Sequence, residues 1–254
     1  MHKKVSKTSK MHFAKLVFRT MLFLTALALY LSGNGPEAFV YIEKSSFILP
    51  VLTAIFLVEI YLRFFPSDIE SMGCQKQFKI NYREKRQLRE KVRLNSWKST
   101  LAVAVAWFIL NGAIGVLFFN GIIDEGILWL IAIAYSVCDM ICILFYCPFH
   151  HLFMKNKCCT TCRIYNWDFA MMFTPLIFTK NVFAWCLVIA SLVLLIQWEV
   201  LVYMYPERFL EETNESLECR NCKEKLCAHK KHLQYYLKQY RQIHNVNKKR
   251  ESSI

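Results

Sequence analysis

Thiols and imidazoles recur at ligand spacing in two short stretches of an otherwise apolar chain. The first runs Cys147-Pro-Phe-His150-His151 and then Cys158-Cys159-Thr-Thr-Cys162; the second runs Cys219-Arg-Asn-Cys222 and then Cys227-Ala-His229. Two residues between cysteines let one turn of backbone aim both sulfurs at one point, which suits a soft or borderline metal. Zinc takes four such ligands in a closed tetrahedron, commonly as CxxC pairs from two segments. Cys159 and Cys162 with Cys219 and Cys222 would make that set and tie the tail to an interhelical loop. Cys147, His150, Cys227 and His229 would form a second site or stay free, with Cys158 a further candidate ligand.

An iron–sulfur cluster is the alternative cofactor, since it too takes four thiolates. The run Cys219-x2-Cys222-x4-Cys227 resembles a ferredoxin ligand run only when read backwards. A thiol redox relay, or no metal at all, are the remaining readings. Cys138, Cys142 and Cys186 fall inside apolar runs, where cysteine packs as a small hydrophobe.

A second constellation consists of charges inside apolar segments. Arg19, Glu59, Asp139 and Glu199 all fall about 9–12 Å from the basic ends of their segments at about 1.5 Å per residue. At that depth an unpaired charge costs a few kcal/mol, so these groups should turn inward and meet. Arg63 lies four residues after Glu59 and is expected to pair with it along one helix face. The acids would serve a cation or proton path, or else be neutralised by Arg19 and Arg63. The outer half offers little beyond Asn111 and Thr53 as polar groups, which argues against a complete path.

The elements that must position these residues are membrane helices. The 254 residues are 55% hydrophobic, and stretches such as 101–119, 127–145 and 182–205 match the ~20 apolar residues that cross a bilayer. The first apolar stretch, 13–31, has no small-x-small cleavage site after it and reads as a retained helix. Gly33-Asn-Gly-Pro36 makes an outer turn, and 47–65 returns with Pro50 in its first turn. Residues 163–179 are the difficult stretch: 17 residues reach only about 26 Å and include Pro175. We expect an all-α, polytopic bundle of about six spans over residues 1–205. The alternative has five, with 168–179 lying in the interface and the tail outside. Residues 206–254 form a Cys-rich tail with an amphipathic helix at 228–243.

Of the 32 Lys and Arg residues, 30 lie in 1–19, 63–98, 148–166 and 206–254. Positive charge is retained on the cytoplasmic side, so these segments, both termini and both cysteine clusters should share that side, most simply of the plasma membrane. There thiols stay reduced and serve as ligands rather than disulfides. The net charge of +13 is thereby explained through topology and contact with an anionic inner leaflet, with residues 82–95 as a surface helix, and not through nucleic acid. The Cys/His module would present a face to a cytoplasmic protein partner or a second copy of the chain. No Gly-rich phosphate loop, GxSxG or HExxH is present, so the sequence points away from an enzyme.

Overall fold

The computed structural model describes residues 6–33, 47–85, 97–154, 158–222 and Glu224. Seven α-helices account for most of them: α1 (Lys7–Ser32), α2 (Ile48–Leu62), α3 (Met72–Gln75), α4 (Trp97–Phe119), α5 (Glu125–Leu144), α6 (Asp168–Phe173) and α7 (Val182–Met204). Among the described residues β-pairing is limited to one isolated bridge, Glu84 to Asn214. Helices α1, α4, α5 and α7 are long and apolar enough to cross a membrane.

Their burial pattern is inverted relative to a water-soluble bundle. In α1 the buried residues are Thr8, Ser9, His12 and Arg19, whereas Phe18, Met21, Leu24 and Leu31 are exposed. In α4 only Val103, Asn111 and Gly115 are buried, a stripe at multiples of four, and Phe108, Ile109 and Phe119 stand in the open. A helix that is apolar all round yet exposed on most of its faces is built for a hydrocarbon solvent.

Where about six spans are expected, four helices are long enough to cross a membrane, and the other two stretches are shorter or broken. Helix α2 has 15 residues, about 22 Å. Residues 163–179 form no continuous helix. They run as a 3-10 turn (Tyr165–Trp167), then α6, then a second 3-10 stretch (Thr174–Phe178) with Pro175 as its second residue. This segment does not lie on the surface. Phe169, Met172, Phe173 and Leu176 sit in the main core with Leu49, Phe56 and Ile60 of α2 and Leu187 and Leu194 of α7. It runs antiparallel to α7: Trp198 Nε1 donates to the Arg163 carbonyl at 2.9 Å, and Trp185 Nε1 to the Thr179 carbonyl at 3.0 Å. Thirteen residues separate the two tryptophans, about 20 Å of helix. Broken backbone of this kind is tolerated at membrane depth only where protein surrounds it.

The N-terminal stretch is helical earlier than its basic composition suggests. α1 begins at Lys7 because the Ser6 side chain accepts from the Ser9 N–H at 3.1 Å, satisfying one of the free donors of the first turn. Helix α5 ends at Leu144, shortly before Cys147-Pro148, where the residue before proline is pushed out of helical geometry.

At one end of the bundle the connecting segments pack on one another. Glu215 N–H donates to the Arg83 carbonyl at 2.8 Å, Arg208 to the Gln77 carbonyl at 3.1 Å, and Lys85 pairs with Glu218 at 2.6 Å. Asn214 is fully buried, its amide donating to the Arg208 carbonyl and its oxygen accepting from Arg83 and Ser216 N–H. The Glu224 carboxylate accepts from Ser71 at 2.8 Å and from Met72 N–H at 2.6 Å, and the Ser6 hydroxyl reaches the Glu224 carbonyl. The start of α1, the α2–α3 connection and the tail are thus held together. The amphipathic helix expected at 228–243 and most of the surface helix expected at 82–95 lie outside the described residues.

Candidate functional site

On α5, Tyr135, Cys138, Asp139 and Cys142 follow one another at the i, i+3, i+4, i+7 spacing of a single helix face. The opposite face, with Ile133, Ser136 and Met140, is buried, and Met140 packs with Phe13 and Leu16 of α1. The outward face of α5 borders a cavity of about 240 Å³. Its other walls come from Cys147 and Phe149 just after α5, from Cys159, Cys162 and Tyr165 of the loop, and from Asp168, Met171 and Met172 at and within α6. Trp107 of α4 closes one side, 4.9 Å from the Tyr135 ring and 6.2 Å from Phe149.

A lysine holds the loop in place beside this cavity. Lys76 is fully buried, and its Nζ donates to the carbonyls of Thr160 at 2.9 Å and Cys162 at 2.8 Å. It also stands over the rings of Trp198 at 5.5 Å and Phe209 at 5.8 Å, within cation–π range. Burial lowers the Lys76 ammonium to about 7, with Cys162 opposing the shift. Burial likewise pushes the Cys162 thiol up to about 11. Between them, Cys159–Thr161 forms a 3-10 turn closed by Cys162 N–H to the Cys159 carbonyl at 3.0 Å.

Compared with known proteins, the chain matches no family model, no curated sequence and no solved structure. Its site is therefore read from its own geometry.

Of the candidate ligands, Cys147, Cys159 and Cys162 line the cavity. Cys158 is half-buried beside them and interacts electrostatically with Glu224. Cys219 is exposed and Cys222 half-buried, and neither is among the cavity-lining residues. The His150 side chain, Cys227 and His229 lie outside the described residues. Among the described residues no three His, Cys, Asp or Glu side chains converge as a metal centre requires. The loop and the tail instead meet through α3: Lys76 at its C-terminal end holds the loop, and Ser71 and Met72 at its start hold Glu224. Burial raises the Glu224 carboxyl above the usual carboxylate range despite those donors.

The buried charges sort into three separate groups. Arg19, 1% exposed, donates to Glu59 at 2.6 Å, to Asp139 at 3.2 Å and to the Ser136 carbonyl at 3.1 Å. Lys15 bridges Glu59 at 3.8 Å and Glu70 at 3.3 Å. Arg63 does not pair with Glu59, its neighbour on α2. It turns to Asp168 at 2.6 Å and Asn166 at 2.9 Å, over the Phe169 ring at 4.7 Å. Glu199 accepts both Arg163 guanidinium nitrogens and, at 2.7 Å, Trp167 Nε1. The i, i+4 expectation for Glu59 and Arg63 fails because each finds a partner on another segment with additional hydrogen bonds, the condition under which a buried charge is tolerated.

Asp139 and Asp168 both border the cavity, so the thiol cluster and two of the buried carboxylates share one chamber. Two of its lining groups were read from the sequence as packing only. Cys138 and Cys142 lie on the chamber side of α5, Cys138 being exposed. Their i, i+3 relation to Tyr135 and Asp139 was the available signal. Lys76 gave none, since one lysine in a basic segment is indistinguishable from its neighbours.

Proposed function

We propose that this chain is an integral membrane protein that holds a thiophilic metal ion at its cytoplasmic end and presents the surrounding module to a partner or as a metal sensor. What supports the reading is one observation: cysteines from the end of α5 and from the Cys158–Cys162 loop line one chamber with Asp139. Zinc is the metal we favour. Cys159 and Cys162 offer two of the four donors it prefers, and the tail would close on the loop to supply the rest from Cys219, Cys222, Cys227 and His229. The proposed topology has six crossings, counting α2 and the broken 163–179 segment, with both termini inside, so that the basic segments contact the anionic inner leaflet. A dithiol or iron–sulfur centre is the second reading, favoured by Cys142 and Cys147 lining the same chamber as the loop thiols. A transport path through Glu59, Asp139 and Glu199 is less well supported, because each of these acids already holds a guanidinium.

The test is elemental analysis of protein purified without oxygen, for the wild type and for a variant carrying Cys219→Ser, Cys222→Ser and Cys227→Ser. Point substitutions are preferred to deleting the tail, since residues 206–222 pack on the 77–85 segment. Zinc near one equivalent that falls by more than half in the variant supports the composite site. Wild-type protein without zinc removes it, and a brown protein containing iron selects the cluster.

A further inference from the structure

The chamber brings together sulfur donors that the four-ligand composite does not use. Cys142 is on the last turn of α5 and Cys147 just beyond it, where Tyr146 N–H reaches back to the Ile141 carbonyl at 3.1 Å, and both cysteines line the chamber. The thioether residues Met171 and Met172 of α6 line the same chamber. Its two carboxylates are already engaged: Asp139 by Arg19 and Asp168 by Arg63. A hard cation entering here would compete with guanidinium for its oxygen ligands. Thiolate and thioether donors without free oxygen select soft ions.

Coordination number narrows the choice. Zinc and iron–sulfur clusters need four donors, and among the described residues no three converge. A monovalent d10 ion is satisfied by two thiolates facing each other, with a thioether as an optional third ligand. We propose that Cys142 and Cys147 form a copper(I) site within this chamber, separate from any zinc held with the tail. Binding exchanges the two thiol protons for one cation, so copper affinity rises with pH. The site does not depend on the zinc reading, since it uses none of Cys219, Cys222, Cys227 or His229.

Full-length protein in detergent, kept anaerobic with ascorbate, is titrated with copper(I) against a chromogenic copper(I) chelator. One tightly held equivalent is expected. Cys142→Ser and Cys147→Ser should each weaken it at least tenfold, and the Cys219→Ser, Cys222→Ser, Cys227→Ser variant should leave it unchanged. Cys142→Ala serves as the second variant, because alanine is the best helix former and keeps α5 intact. It should lose copper with unchanged helical circular dichroism. X-ray absorption of the copper form should show a sulfur-only shell of two or three atoms. Zinc measured on the same samples separates the two readings: zinc follows the tail cysteines and copper follows Cys142 and Cys147. Wild-type protein that fails to retain copper overturns the proposal, whatever zinc does. So does unchanged affinity in the Cys142→Ser, Cys147→Ser double variant, or copper lost only with the tail cysteines.

Discussion

The Nζ of Lys76 donates to the main-chain carbonyl of Cys162 at 2.8 Å, from a position with no exposure to solvent. A buried ammonium is costly, and this one is placed where two loop carbonyls and two aromatic rings offset the cost. The contact fixes the CxxC turn against the bundle and so sets which way Cys159 and Cys162 face.

Lys76→Met should release that turn. The carbonyls of Thr160 and Cys162 lose their donor, at about 1–3 kcal/mol for each acceptor left buried. Removing the desolvated charge offsets part of this, so the net loss of stability should be about 1–3 kcal/mol. The sharper readout is Cys162, now buried, which should alkylate faster in the variant. Unchanged Cys162 reactivity would mean the loop is held by other contacts.

Arg19→Met should be among the most damaging single changes. It leaves Glu59 and Asp139 inside the bundle without their shared guanidinium, and breaking such a buried network typically costs about 3–5 kcal/mol. Arg163→Met strands only Glu199, whose side chain is 36% exposed, and should cost less than half as much. Restoring neutrality with Glu59→Gln and Asp139→Asn in the Arg19→Met background should recover part of the loss. Unfolding by SDS in mixed micelles measures all three.

The difference between those arginines marks how far the sequence could be read. Long apolar runs located α1, α4, α5 and α7, because twenty residues of hydrocarbon-compatible side chains admit few other structures. Clustered cysteines located the loop. What spacing alone could not give was partner choice: Glu59 and Arg63 are four apart, yet Glu59 bonds Arg19 and Arg63 bonds Asp168. Those pairs join residues 40 and 105 positions apart, set by how helices stack and not by any local period. The 163–179 segment was hard to read for a related reason. Its Pro175 breaks the helix, and only its burial against α2 and α7 shows why a broken helix is tolerated there.

Gly73 gives a steric test of the junction between α3 and the loop. A Cβ at this position would lie 2.3–2.6 Å from three ring atoms of Tyr165. That ring packs against Ile143 and Leu144 on one cluster and Trp198 and Phe209 on another, so it has little room to retreat. Gly73→Ala should destabilise by about 1–3 kcal/mol, as overpacking does. Gly112→Ala on α4 meets nothing within 4 Å and should be neutral or mildly stabilising. Equal effects at the two positions would show that the Tyr165 contact is not tight.

Cysteine accessibility tests the whole arrangement in one experiment. Cys74 is fully buried, its thiol donates to the Ser71 carbonyl at 3.0 Å, and burial pushes its pKa up to about 12. At pH 8 a thiol of that pKa is ionised to only about one part in 10⁴, and the thiolate is the form that reacts. Cys219 is exposed on a turn. In protein freed of metal by a chelator, iodoacetamide at pH 8 should therefore label Cys219 within minutes and leave Cys74 unlabelled until the protein is unfolded. The same shift fixes the sign of a pH effect. The folded state holds the Cys74 proton more tightly than the unfolded chain, so this thiol's contribution to stability is complete below about 9 and is lost as pH rises toward about 12. Cys74→Ala should flatten that alkaline decline. Mass spectrometry of the labelled peptides decides the first point and a pH series of unfolding curves the second. Rapid labelling of Cys74 in folded protein would show that α3 does not pack as described.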